Sequence, residues 1–326
     1  MSRSAALSLP ECRGQSTADA VIRQGRREAR AILATGSKSF ALAGILLGRR
    51  ARNDAAVLYA WCRRADDRVD EAGVGGAQSA LHNLARELDA LSAGRAQLPL
   101  DMALSELVER RRIPKEYFAS LLHGFDMDAR GFRYATLADL DLYAYRVAGV
   151  VGLMMCHVLG VRDGRCLKAA ARLGMAMQLT NIARDVAEDF RRGRQYLPRE
   201  LLSSGDLGRA LAATDERHPS RRHVAGAVEA LLRRADAYYM VGLAGLRDLG
   251  ARDAMAIGAA ARIYRAIGKV IARRRFDSLR TRAVVSLPRK LLLAAAAALA
   301  LLGRAPTRSS GTEVPDLLVR FDDVET

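Results

Sequence analysis

Gln178-Leu179-Thr180-Asn181-Ile182-Ala183-Arg184-Asp185-Val186-Ala187-Glu188-Asp189 contains neither proline nor glycine and predicts a helix. On a helix, residues four apart lie one above the other. Asn181, Asp185 and Asp189 therefore form one row, with Gln178 one turn earlier. Oxygen-bearing side chains in a row build a core poorly but hold a hard cation well, and magnesium prefers oxygen ligands. A lone acidic pair at this spacing ordinarily marks a solvated face. A second row argues otherwise: Tyr59, Arg63, Asp66 and Asp70 step by 4, 3 and 4 along one face of another helix. That helix also carries Trp61, the chain's only tryptophan, a residue that favours burial. Like charges four apart repel, so two inward rows need a counter-charge, which metal ions and a phosphate-bearing substrate supply.

The 326-residue chain is half apolar, with 8 prolines and 5% aromatics. Scarcity of helix breakers and β-formers predicts an all-α fold. The four cysteines (Cys12, Cys62, Cys156, Cys166) form no Cys-x-x-Cys pair, which argues against zinc and fits a reducing, cytoplasmic setting. A net charge of +16 admits an anionic membrane surface or an anionic substrate. Nucleic acid is disfavoured, because no basic run is interleaved with aromatics. The N-terminus shows no signal-peptide stretch. The longest apolar run, Leu291 to Leu302, is 12 residues, short of the ~20 that span a bilayer. It reads as a core helix in preference to a segment dipping into a surface.

Along the chain, residues 1–17 read as a flexible N-terminus, 18–303 as a single all-α domain, and 304–326 as a flexible tail. Ser37 reads locally as a helix N-cap, with an anion cradle as the alternative. Gly73-Val74-Gly75-Gly76 reads as a turn. Residues 139–160 predict one continuous apolar helix with Tyr143, Val147, Val151 and Met155 as a stripe. Gly149 and Gly152 in that helix each cost about 1 kcal/mol relative to Ala, so they imply close packing or room for a ligand. Arg191, Arg192 and Arg194 follow the second acidic row and could pair with carboxylates or grip phosphate.

Two chemistries suit inward carboxylates in a helical bundle. A di-iron site wants Glu-x-x-His pairs, and none of the five histidines has Glu three residues before it. A magnesium cluster holding a diphosphate remains. If the organic half is allylic, loss of diphosphate leaves a carbocation that needs a dry apolar cavity. The residues thus point to an isoprenoid diphosphate.

Longer phrases carry a resemblance: SKSF at 37–40, YAWCRRADDRVDE at 59–71, YAYRVAGVVGLM at 143–154, GMAMQLTNIARDVAEDFRRGRQYLP at 174–198 and AARIYRAIGKV at 260–270. In their order and length they resemble the squalene/phytoene synthase family, most of all its bacterial phytoene-forming members. The resemblance implies an isoprenoid synthase-type helical bundle around a central cavity. It implies head-to-head joining of two geranylgeranyl diphosphates through a cyclopropyl diphosphate, a step of carotenoid biosynthesis. The alternative is a farnesyl diphosphate enzyme making squalene, presqualene diphosphate or dehydrosqualene. Metal binding is implied for Asp66, Asp70, Asn181, Asp185 and Asp189, with magnesium expected and manganese as a substitute. Catalysis is implied for Asp66, Asp70, Asp185, Asp189 and Tyr143. Ser37, Phe40, Tyr59, Arg63, Val147, Gln178, Arg184, Arg194 and Tyr264 match substrate-binding positions. No NADPH is expected. The implied partners are geranylgeranyl diphosphate, an anionic membrane surface met peripherally, and downstream carotenoid enzymes. One departure stands out: Thr281 occupies the place of an expected arginine, between Arg280 and Arg282.

Overall fold

A computed structural model describes residues 11–302, Glu216 excepted. Among the described residues there are helices and connections but no strand. The elements are α1 (Glu11–Gly36), α2 (Lys38–Gly44), α3 (Arg49–Glu71), α4 (Gly73–Ser92), α5 (Pro99–Arg111), α6 (Lys115–Ala129) and α7 (Leu137–Ala144). A π-helical turn, Tyr145–Gly149, leads into α8 (Val150–Leu159) and α9 (Gly164–Arg191). Then come α10 (Asp206–Ala212), α11 (Pro219–Ala244), a short 3-10 turn (Gly245–Asp248), α12 (Ala251–Arg273) and α13 (Leu287–Leu302).

The long helix α9 is central, packed against α11, α8, the π turn, α12 and α7. Its Leu179, Ile182, Ala183 and Val186 are buried, which fixes the helix's rotation. Two glycines let it approach its neighbours. A Cβ on Gly174 would sit 2.1 Å from the Ala148 carbonyl oxygen, and one on Gly152 would sit 2.3 Å from that of Ala170. The backbones of α8 and α9 are thus in direct contact, and Gly152 serves close packing. One hydrophobic core cluster extends from Ala29 to Val285 and includes Trp61, packed edge-on against Phe118.

The structure departs from sequence expectation at several points. α1 begins at Glu11, just after Pro10, so 11–17 are helical and the expected start near 18 is too late. The expectations for residues 1–10 and 304–326 lie outside the described residues. Gly73 takes a left-handed φ of +64° and breaks the chain direction, yet Gly75 and Gly76 already belong to α4. The apolar helix expected over 139–160 is interrupted by the π turn. A π turn inserts extra backbone and re-aims the side chains beyond it, and such turns recur at functional sites. The segment Leu137–Leu159 is long and apolar enough to cross a membrane, but more than half of its most apolar window is buried within the bundle. It also carries buried Asp141, paired with Arg234. The largest correction concerns the Leu/Ala run expected in the core: α13 packs on α12, and between 291 and 300 only Ala297 is buried.

Candidate active site

Helix α3 separates its charges by face. Arg68 pairs with Glu87 at 2.7 Å and Arg64 with Asp101, which ties one side to α4 and α5. The other side turns Tyr59, Arg63 and Asp66 into a cavity of about 540 Å³. Asp67 accepts from Arg63 at 3.0 Å, which steadies that guanidinium beside the row. From α9, the same cavity receives Gln178, Asn181 and Arg184. Its remaining wall is largely apolar and includes Val147, Val151, Met155, Leu173 and Met177.

Ser37 is the helix N-cap expected from sequence, and it also faces the cavity. It caps α2, accepting from the Phe40 amide at 3.2 Å, and lines the cavity, where its hydroxyl reaches the Tyr264 phenol. Phe40 stacks on Tyr264 at 5.1 Å and meets Tyr59 edge-on at 6.2 Å.

Eleven expected residues therefore line one cavity: Ser37, Phe40, Tyr59, Arg63, Asp66, Tyr143, Val147, Gln178, Asn181, Arg184 and Tyr264. Asp70, Asp185, Asp189 and Arg194 are not in its wall; Asp185 alone among them is ion-paired to residues that line it. Asp185 takes Arg184 at 2.9 Å and Arg282 at 2.8 Å, both from cavity-lining arginines. Arg194 bridges the two rows: its amide donates to the Asp189 carbonyl at 2.9 Å and its guanidinium pairs with Asp70. The three residues around Thr281 differ in their partners. Arg282 reaches Asp185, whereas Arg280 lies 3.7 Å from Asp277 and Thr281 accepts from Arg274.

The electrostatics follow from this arrangement. Burial, then the charge of Asp70, pushes the Asp66 carboxyl up to about 7. Burial, then the charge of Asp185, does the same for Asp189, also to about 7. For Asp185 burial is the largest influence and acts upward. The guanidinium groups of Arg184 and Arg282 together outweigh it and hold the carboxyl below its ordinary value. Arg194 is held firmly charged: burial opposes this, but Asp70 and nearby Asp128 prevail.

Asn181 bears on whether the rows suit a metal. Its Oδ1 is buried with no hydrogen-bond partner, while its amide nitrogen lies 3.5 Å from Gln178. An orphaned buried acceptor on the same helix as Asp185 and Asp189 fits a cation, and an all-oxygen donor set suits magnesium. Among the described residues no three acidic, His or Cys side chains are yet gathered as a metal cluster; arginines hold Asp70 and Asp185 instead.

Sequence reasoning missed Asp128, Tyr196, Tyr134 and the role of Arg282. Asp128, on α6, accepts from the Tyr143 phenol at 2.7 Å and from Tyr196 at 2.8 Å. Tyr134, Tyr143 and Tyr196 pack as an aromatic trio, with Tyr143 and Tyr196 stacked at 5.0 Å. Tyr196 lies inside the quoted phrase at 174–198 and was there to be noticed. Asp128 carries no spacing signal, since nothing in Asp126-Met127-Asp128 tells which carboxylate turns inward.

A family model described as squalene/phytoene synthase matches residues 33–289. Phytoene synthase of Rhodobacter capsulatus is 41% identical over 273 residues, covering 83% of this chain and 80% of that protein. 15-cis-phytoene synthase of Enterobacter agglomerans is 40% identical over 271 residues, covering 80% and 91%. A crystal structure of a dehydrosqualene synthase with a bound ligand superposes with a TM-score of 0.76 at 30% identity, covering 87% of this chain and 98% of that one. Squalene synthase HpnC from Alicyclobacillus acidocaldarius shares the fold, with a TM-score of 0.66 at 24% identity, covering 78% and 96%. The chain belongs to the squalene/phytoene synthase family.

Proposed function

We propose that this protein joins two molecules of geranylgeranyl diphosphate head to head to give 15-cis-phytoene, a step of carotenoid biosynthesis. The observation that carries the reading is the junction of an arginine–carboxylate rim with an apolar cavity of about 540 Å³. One end suits diphosphate and the other a prenyl tail. Relatives bearing the phytoene synthase name, at 38–41% identity over most of the chain, support the C20 substrate.

Asp66, Asp70, Asn181, Asp185 and Asp189 would hold magnesium. When bound, the ion offsets the charge of a departing diphosphate as a Lewis acid. The chain's own residues do the rest. Arg184, Arg194 and Arg282 place fixed positive charge at the rim, where phosphate oxygens are met by bidentate donors. Arg63, Tyr59, Gln178, Ser37, Phe40 and Tyr264 position the substrates in the upper cavity. Val147, Val151, Met155 and Leu173 exclude water, so an allylic cation meets the partner's double bond before hydroxide. After loss of the first diphosphate, C1 of that substrate bonds to the partner's double bond, and loss of a proton from the resulting cation closes the ring of a cyclopropylcarbinyl diphosphate. Loss of the second diphosphate, rearrangement and loss of a proton complete the sequence, which needs no reductant. Tyr143 stands at the wall with its phenol anchored on Asp128. The oily tail and product, with a net charge of +16, further suggest peripheral attachment to an anionic membrane.

The test is a product assay with magnesium and either geranylgeranyl or farnesyl diphosphate, without NADPH. Phytoene from the C20 substrate is the expected result. The likeness to a dehydrosqualene synthase favours a second reading, in which a C30 hydrocarbon or presqualene diphosphate forms from farnesyl diphosphate. No product from either substrate overturns both.

A further inference from the structure

Of the large hydrophobic side chains described, ten are exposed, and six belong to two neighbouring segments: Ile45, Val284, Leu287, Leu291, Leu292 and Leu299. Ile45 ends α2, and the others lie on or just before α13. These segments touch. Ala43 of α2 is buried together with Ala259 and Ala260 of α12 and Ala297 of α13, with Phe40, Leu46 and Ala294 packed around them. α13 thus spends its small alanines on the inward side. Its outward side, from 291 to 300, presents only Leu and Ala.

The charges around this face have one sign. Neither residues 29–53 nor residues 278–302 contain a single Asp or Glu. They contribute exposed Lys38, Arg49, Arg50 and Arg289, with Lys290 partly buried. Partial burial and then the charge of Lys38 lower the Lys290 pKa, which puts the two ammonium groups close together. An apolar helix face rimmed by cations, with no acid in either segment, matches an anionic lipid surface: acyl chains accept the leucines and headgroups accept the cations. A second copy of this face would set these cations against each other. The position also makes sense of an oily cargo. Phe40, Ala43, Gly44 and Leu47 line the cavity from within, so α2 is the wall between the prenyl site and this surface.

We propose that the outward face of α13, with Ile45 and the flanking cations, is the surface by which this protein docks on anionic membranes. This deepens the prenyl-substrate reading by naming where the membrane is met, and the binding assay below involves no turnover. Full-length protein would be sedimented with vesicles of phosphatidylcholine alone or of phosphatidylcholine mixed with anionic phosphatidylglycerol. The expected result is binding to the anionic vesicles that weakens severalfold as salt rises through the physiological range. Leu292→Glu/Leu299→Glu should reduce the bound fraction at limiting lipid about tenfold. Arg289→Ala/Lys290→Ala should remove most of the salt-sensitive part. Turnover of detergent-dispersed substrate, unchanged in both variants, establishes that they fold. Absence of wild-type binding, or equal binding by wild type and the leucine variant, overturns the proposal. So does a leucine variant that turns a dimer into a monomer without altering lipid binding, since a second copy would then be the occupant. Loss of turnover in all forms, with lipid binding intact, would count against the enzymatic reading alone.

Discussion

Asp128 accepts the Tyr143 phenol at 2.7 Å, and its other carboxylate oxygen takes Tyr196 at 2.8 Å, so one carboxylate orients the cavity-lining Tyr143 and its stacked neighbour. The phenol oxygens are themselves 3.2 Å apart. Burial is the main cause that raises the Asp128 pKa, and the two phenols and Arg194 work against it. A hydrogen bond to a charged group is worth about 1.5–3 kcal/mol, and about 1.4 kcal/mol is tenfold in rate. Asp128→Asn should therefore lower kcat roughly 10- to 100-fold while leaving KM within about threefold, since the substrate-binding side chains stay in place. Tyr143→Phe should fall in the same range, and the double variant should lose less than the product of the two. Steady-state kinetics check this; an Asp128→Asn enzyme with full kcat would remove the carboxylate from any part in the reaction.

Arg282 and Arg280 are two residues apart and behave differently. Arg282 pairs with Asp185 and lines the cavity, while Arg280 lies 3.7 Å from Asp277 and is not among the cavity-lining residues. Arg282→Ala should raise KM for the prenyl diphosphate and lower kcat/KM by about 10- to 100-fold, the scale of a lost charge-assisted contact. Arg280→Ala should stay within about twofold. Equal losses in both variants would mean that the loop rearranges when substrate binds.

The acidic rows were legible because a helix has one period. Once α3 and α9 are helical, Asp66 and Asn181 must share a face with Tyr59 and Gln178, and one buried stripe sets which face turns inward. Asp128 and Arg282 were not legible because their place depends on how distant helices meet. α13 misled for a related reason: Leu and Ala state apolarity, but not whether a partner exists to cover them. The π turn at Tyr145–Gly149 has no local marker, since neighbouring sequence is equally compatible with a regular helix.

Proton linkage gives the metal-free protein a pH dependence of definite sign. Asp66 and Asp189 titrate at about 7 when folded, against about 4 for an unfolded aspartate. Between these values the folded chain binds more protons, so stability falls as pH rises through that window. Asp185, held low by its arginines, loses its contribution only below the ordinary aspartate range. In EDTA, Tm should therefore decline from pH 5 to pH 8, and Asp66→Asn and Asp189→Asn should each flatten the decline and raise Tm at pH 8. The same protons must leave before a cation can bind, so magnesium affinity should weaken as pH falls below 7, with proton release seen by calorimetry in buffers of different ionisation enthalpy. A wild-type Tm that climbs across this range, unaltered in both variants, would show the carboxylates to be ordinary.

α9 is in backbone contact with the π turn at Gly174 and with α8 at Gly152, and all three segments line the cavity. A methyl on Gly174 would lie 2.1 Å from the backbone oxygen of Ala148, and neither atom is the end of a flexible side chain. Gly174→Ala must therefore separate the helices, at a cost of about 1–3 kcal/mol for overpacking. That corresponds to a fall in Tm of roughly 2–10 °C for a chain of this size. Separation also shifts Gln178 and Asn181 relative to Tyr143 and Val147, which line the same cavity. Since a displacement of about 1 Å can cost 100-fold in rate, turnover should fall further than the fraction unfolded explains. Thermal melts and kcat measured well below Tm separate the two effects. A variant with unchanged Tm would mean that the helices are not in backbone contact, and one with lowered Tm but full kcat would mean that the crossing supports the fold without setting the geometry of the site.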